Sequence, residues 1–458
     1  MKHRGRLHEV IRRAENGPMI EEKEFEKNLI TSTVARLIKK YNIKFNKETI
    51  VPADDDLADR LYQAGLEFAV EVGMFCKDTS RRILWSREEY EDALRYCPSE
   101  AIIGEGNDAV KILARRPESS TRVVVSGGAV GVPVPEDMYL PLMMSYAKEP
   151  VIDLLEPASI QSAYGMPMKA GSPLEIIAGW RDAELALQVI NLAGRPGMGL
   201  ACVTISATAI GQISPASYGG FRQSDWHHCS VMSEFKTSYD LLSKVTHTTR
   251  IGANMEAYLN IIFGGYFGGA EGVAIGLAAG PIILNQNYMG TTYSVAPSHP
   301  FLHCGSTSEM IWAQSLAFQA VSRNTNLLTA SMIKPAGGPG TRSILYENAA
   351  LSIANVTSGL SVVESCMSAS GTNPRHASGL DSKICGEVAH AATGLSREQA
   401  NKIVKQLTEK YEKGLSEKPA GKPFEEVYDL ETITPTVEWQ GMYDEVKVEL
   451  QQMGLPIN

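Results

Sequence analysis

The runs TRVVVS (121–126), EPVIDLL (149–155), GLACVTI (199–205), a stretch at 228–235, MEAYLNII (255–262), PIILNQN (281–287), NLLTAS (326–331) and LSVVESC (360–366) decide the fold. Each is short and rich in apolar or β-branched residues, as a buried strand requires. Helical stretches at 174–192, 309–321 and 342–355 lie between several of them. Eight strands alternating with helices close most simply into an α/β (β/α)8 TIM barrel. Working outward, residues 1–120 are charge-rich and read mostly as helix, with Leu57, Leu61, Ala64 and Phe68 at helical spacing in 56–72. This gives an N-terminal helical segment (1–120), a barrel (121–395) and a C-terminal helical extension (396–458). In the extension Ile403, Leu407 and Tyr411 mark one amphipathic helix, and a last helix is expected at 437–453.

The chain has 458 residues, 44% hydrophobic and 21% charged, which fits a folded globular protein and excludes disorder or a collagen-like repeat. A net charge of −9 argues against a nucleic-acid or anionic-membrane partner, both of which call for a basic face. The opening MKHRGRLHEVIRRAENG is not followed by the apolar stretch of a secretory signal, and no apolar run approaches the roughly 20 residues of a membrane span. A soluble, cytoplasmic protein is expected. Seven widely spread cysteines without a CxxC pair point to reduced thiols.

Barrel chemistry gathers where strands end, at the C-terminal face. Polar groups fall there at Gly127 and Gly128, at 201–212, at His227, His228, Cys229 and Glu234, and at 332–340. Glu234 reads as a general acid or base or a counter-ion for a cation, with an exposed pair to Lys236 as the plainer reading. His228 or Cys229 with His303 and Cys304 supply zinc-type ligands, although adjacent strand residues point to opposite faces, so local hydrogen bonding is the plainer reading there. AGGPG (336–340) and SGGAVGVP (126–133) lack phosphate-loop spacing and read as turns. FGGYFGG (263–269) reads as a close approach of backbones. The residues alone thus lead to a soluble barrel enzyme with its chemistry open.

AGRPGMG (193–199) resembles the monomethylamine:corrinoid methyltransferases of methylotrophic methanogens. GEGNDAVKI (104–112), SGG with PEDMYLPLMMSYA (135–147), SEFK (233–236), FGGYFGG, CGSTS (304–308) and KPAGKPF with TITPT (418–436) match in the same order, so the resemblance spans nearly the whole chain. It implies a (β/α)8 barrel, a homo-oligomer (a hexamer in the family), and delivery of a substrate methyl to the cobalt of a partner corrinoid protein, with no cofactor tightly bound to the barrel itself. The family's pyrrolysine stands two residues after GMG. Here that position is Ala201, and the Gly-Pro that follows it in the family is absent.

Carried over by resemblance, Glu234 and His227 fall on catalytic positions. A second family glutamate falls on Tyr258, and Glu256 fills that role only if the strand slips by two. The family's Gln-x-Tyr becomes Met332, Ile333 and Lys334. Ala201, Cys202, Tyr258, Met332, Lys334 and Tyr266 are therefore the expected substrate-binding residues, with Trp226 joining Tyr258 and Tyr266 in an aromatic cage. The resemblance, modified at these positions, implies methyl transfer from a methylated amine or quaternary ammonium compound without pyrrolysine. No metal is expected. The alternatives are a zinc-dependent methanol- or thiol-type methyltransferase using His228, Cys229, His303 and Cys304, and a non-catalytic barrel kept as a binding protein.

Overall fold

The computed structural model describes residues 2–202 and 208–458. Eight parallel strands close a barrel in chain order: β1 (Val124–Gly128), β2 (Leu154–Glu156), β3 (Gly199–Cys202), β4 (Trp226–Val231), β5 (Asn254–Ile262), β6 (Thr292–Ser298), β7 (Thr329–Ile333) and β8 (Val362–Cys366). Seven fall on or beside the expected runs; residues 203–205 of the third run lie outside the described residues. The eighth expectation fails. PIILNQN lies inside a helix, Ala270–Tyr288, and the sixth strand is TYSVAPS. Every residue of that helix except Glu271 is buried, so it shows no polar face, and its β-branched run beside Pro281 mimics a core strand.

The outer helices are α1 (Glu136–Ala147), α2 (Pro173–Leu192), α3 (Ala209–Ile213), α4 (Tyr239–Ile251), α5 (Ala270–Tyr288), α6 (Ser308–Asn324), α7 (Arg342–Thr357) and α8 (Gly379–Ala391). Ser172, Ser238, Thr307 and Thr341 end the preceding loops by accepting a backbone N–H at the first turn of α2, α4, α6 and α7. Each such cap contributes about 1 kcal/mol and fixes where the loop at the C-terminal face stops.

The N-terminal segment is less helical than expected. Besides helices such as Asp55–Val72, which packs on α5 and α6, it holds two antiparallel hairpins. The hairpin Glu100–Ile103/Val110–Leu113 closes the bottom of the barrel: Ile103 and Ile112 pack with Val124, Leu154, Ala201, Trp226, Leu328, Ala330 and Val362 in an apolar floor. A second, larger core lies between the strands and the helices. The C-terminal helices Arg397–Tyr411 and Val437–Gln452 pack on α7. Among the described residues no helix is long and apolar enough to cross a membrane.

Candidate active site

Strand alternation sorts the inner face into layers. On β4, Trp226 faces the floor, where its Nε1 donates to Thr292 Oγ1 at 2.7 Å, and two residues on His228 faces the middle of the lumen. Trp226 meets the imidazole of His228 edge-on, with ring centroids 5.0 Å apart. Opposite His228 on β5 stands Glu256, and the carboxyls of Glu156 and Glu364 come in from β2 and β8. All four residues are buried.

Glu156 accepts hydrogen bonds from Ser126 Oγ and, at 3.1 Å, from the backbone N–H of Ser365. Ser365 is the extra residue of a bulge, since Met332 pairs with Glu364 but Ile333 with Cys366. The bulge turns its N–H inward, a use of irregular pairing common beside functional sites. Glu364 accepts from Ser294 Oγ. His228 Nε2 lies 2.7 Å from Glu256 Oε2 but off the hydrogen-bond direction. Burial above all, and then the neighbouring carboxylates, hold Glu256 and Glu364 well above the carboxylate range, so the facing pair keeps a proton. Burial lowers the pKa of His228.

One layer higher, Lys334 donates to Asn260 Oδ1 at 2.7 Å and Ser298 Oγ at 2.9 Å, with its ammonium 5.4 Å from the ring centre of Tyr258. Burial lowers the Lys334 pKa to about 7. Met332, inward between Ala330 of the floor and Lys334 along β7, pairs with Glu364 and so lies at the level of the carboxyl groups. Ser230 is exposed although it belongs to a barrel strand, so the lumen opens upward while the floor is sealed.

Several expected positions are placed elsewhere. His227 points away from the lumen, its Nε2 2.7 Å from the Arg222 carbonyl, and burial holds its pKa at about 4. The lumen histidine is its neighbour, because alternation allows only one of the two inside. Cys202 lies in the outer core, where burial pushes its thiol up to about 12. Ala201 does face inward, but as part of the floor beneath the carboxylates. Tyr258 and Glu256 both face inward, two residues apart, so no strand slip is needed to bring Glu256 in. Tyr266 turns outward to donate to Glu26 Oε2 at 3.1 Å, and Trp226 is sealed in the floor. The three-ring cage is therefore not assembled.

Glu234 is buried against the FGGYFGG turn. Its Oε1 accepts the Ile262 N–H at 3.2 Å, its Oε2 has no partner, and burial pushes its pKa up to about 7. It does not pair with Lys236, which binds Glu22 and Glu26. Gly264 and Gly268 take positive φ and close the turn by a 2.8 Å hydrogen bond, and a Cβ on Gly265 would stand 3.2 Å from Glu234 Oε1. AGGPG is likewise a turn: the N–H groups of Ala336 and Gly337 bind the buried Glu347 of α7 at 2.7 and 2.9 Å.

The alternative zinc set is not brought together. His228 faces the lumen, whereas Cys229 packs toward Leu241 of α4, His303 is exposed, and Cys304 is buried beside Glu347 and Ser306. Burial pushes both thiols up to about 11, away from the thiolate a metal needs. Sequence reading missed Glu156 and Glu364 altogether. Their signal was a lone carboxylate in an apolar strand, LLE and VVESC.

A cleft of about 610 Å3, lined in part by Trp85, Asn254, Met255 and Thr291, opens at the opposite end, where the strands begin. The polar lumen, by contrast, opens where the strands end, and these features together define an enzyme of the (β/α)8 class. Comparison with known proteins is more specific. The family model for monomethylamine methyltransferase MtmB matches residues 6–455, and the chain belongs to that family of methyltransferases. It is 32% identical to monomethylamine methyltransferase MtmB2 of Methanosarcina acetivorans over 446 residues, 97% of this chain and 96% of that one. It is 32% identical to MtmB of Methanosarcina mazei over 443 residues, with the same coverage. The crystal structures of Methanosarcina barkeri MtmB and of a hydroxylamine MtmB complex each superpose with a TM-score of 0.95 at 31% identity, covering 98% of both chains.

Proposed function

We propose that this protein moves a methyl group from a methylated amine or quaternary ammonium compound to the cobalt(I) of a cognate corrinoid protein, without pyrrolysine, in the cytoplasm. Its relatives are named for monomethylamine, and the observation that carries the departure from them is the lumen itself. The positions that the resemblance assigns to the amine hold Tyr258, Met332 and Lys334, and Ala201 lies in an apolar floor.

Cobalt(I) supplies the nucleophile and is held by the partner. A primary amine is a poor leaving group, and the methyl side chain of Ala201 offers no electrophile to capture it. A quaternary ammonium leaves as a neutral amine and needs no capture. The protein's task is then to hold a cation with one methyl pointing out of the barrel. The buried carboxyl groups below Tyr258 turn oxygen atoms toward the lumen, and the Tyr258 face adds a cation-binding surface contributing about 0.5 to 2 kcal/mol. Lys334, with its pKa near 7, spends part of its time neutral, which lessens repulsion of the cation.

With the floor closed by Ile103 and Ile112, the acceptor has access only through the C-terminal mouth. Exposed apolar side chains follow the strand ends there: Tyr164 and Met166 after β2, Ile210 after β3, and Phe301 after β6. They suit a transient protein contact of about 1,200 Å2 or less. Incubating the purified protein with cobalt(I) corrinoid protein and a panel of methylated compounds tests this reading through the cobalt absorption change. Quaternary or tertiary amines are expected to respond; a response to none of the panel refutes the reading.

A further inference from the structure

We propose that Glu156, His228 and Glu364 form a binding site for one divalent transition-metal ion, zinc being the ion to try first, in the middle layer of the barrel. One ligand atom from each of the three lies within 4.8 Å of the others. Some point is therefore within about 2.8 Å of all three, and shifts of well under 1 Å reach the roughly 2.0 to 2.2 Å of zinc–nitrogen and zinc–carboxylate bonds.

Proximity alone would not make a site, since buried acids can gather for other reasons. The orphaned atoms point further. Glu156 Oε2, His228 Nε2 and Glu364 Oε1 are buried without a hydrogen-bond partner, in residues no more than 4% exposed. Among the described residues, no lysine or arginine makes a salt bridge to Glu156, Glu256 or Glu364. An unsatisfied buried carboxylate costs several kcal/mol, and a metal ion resolves several such groups together.

The surroundings are built as a metal site's are. The second oxygens are fixed, Glu156 by Ser126 and the Ser365 N–H, and Glu364 by Ser294. Glu256 Oε2 stands 2.7 Å from the same His228 Nε2, so a bound ion takes the place at that nitrogen that Glu256 now occupies. Three protein ligands, one short of a tetrahedron, are the complement of sites that keep a place for water or substrate. A mixed carboxylate and imidazole set suits zinc, manganese or iron(II) and lacks the thiolate of the alternative set. The site shares its carboxyl groups with the lumen of the methyl-transfer reading, and metal stoichiometry tests it separately from turnover.

The test uses the full-length protein stripped with a chelator, dialysed, and titrated with zinc and then with cobalt(II). One equivalent per chain is expected, with a cobalt(II) spectrum free of thiolate charge-transfer bands. Glu364→Gln and His228→Gln should weaken binding by more than the roughly 10 to 100-fold that loss of an outer partner costs, and Ser294→Ala by about that amount. Circular dichroism establishes that each variant is folded, and the milder Ser294→Ala keeps the test decisive if a ligand variant is not. Cys229→Ser and Cys304→Ser should bind as the parent does. The proposal is overturned if the folded parent binds no ion, if Glu364→Gln and Ser294→Ala bind as tightly as the parent, if Cys304→Ser loses the ion, or if methylammonium alone, and no metal, raises the melting temperature through these residues.

Discussion

Replacing Glu234 by Gln separates a catalytic carboxyl from a structural one. The side chain is 3% exposed, one oxygen accepts the Ile262 N–H, the other has no partner, and burial raises its pKa from 4.5 to about 7. Below pH 4.5 the carboxyl is protonated in the folded and unfolded chain alike and contributes no pH dependence. Between pH 4.5 and about 7 only the folded state keeps the proton, so stability falls by about 1.4 kcal/mol per pH unit. Above pH 7 the full penalty, about 3 kcal/mol, is present. Gln keeps the shape and the acceptor for Ile262 and removes the charge. Urea denaturation should therefore show parent and variant diverging as pH rises, the variant the more stable by about 3 kcal/mol at pH 8 relative to their difference at pH 4.5. If Glu234 also takes part in turnover, methyl transfer by the variant drops and the inflection near pH 7 disappears from its pH–rate profile. A stability difference that does not change between pH 4.5 and 8 would refute the assignment of a raised pKa. Parent-like transfer from pH 6 to 8 would leave Glu234 only its turn-capping role.

Other consequences follow from the lumen. Lys334→Met removes a buried ammonium whose pKa is lowered from 10.5 to about 7. Because the folded value is depressed, the native state pays for the charge in full below pH 7, by about 5 kcal/mol, and by about 1.4 kcal/mol less for each pH unit from 7 to 10.5. The variant's gain in melting temperature should shrink over that range; a gain independent of pH contradicts it. Ser298 Oγ already donates to Asn260 Oδ1 at 2.9 Å, so that acceptor keeps a partner. Ala201→Trp forces a large ring into the sealed floor beside Trp226 and should cost 1 to 3 kcal/mol or more, read by thermal denaturation. An unchanged melting temperature would show that Ala201 borders open space instead. Ile103→Ala should cost about 2 to 5 kcal/mol by opening a cavity in the same floor, and a neutral result would remove the hairpin from the barrel's closure.

Much of the barrel was legible because its strands are short apolar runs between helices, and the exception has a physical cause. In α5 burial on nearly all sides removes the polar face that reveals a helix, and Ile282 and Ile283 then look like strand. The true β6 carries Pro297 and the aliphatic hydroxyls of Thr292, Ser294 and Ser298, because Ser294 and Ser298 serve the lumen rather than the core. The site was harder to read. His227 and His228 are adjacent, and only the register says which one enters the barrel; a shift of one residue exchanges them. Glu156, Glu256 and Glu364 are about 100 residues apart in sequence and meet only through closure of the barrel. Resemblance led to Tyr258, Met332 and Lys334, and to Glu256 only through a strand slip, but not to Glu156 or Glu364, since no motif carried those.

The account turns on which methyl group leaves. Single-turnover transfer of an isotopically labelled methyl, followed on the cobalt(I) corrinoid protein with equal concentrations of monomethylamine and of a quaternary methylammonium compound, tests it most directly. The account predicts label on the corrinoid protein from the quaternary compound and none from monomethylamine. Transfer from monomethylamine at an equal or greater rate would contradict it, and would mean that a barrel with alanine at position 201 handles a primary amine after all.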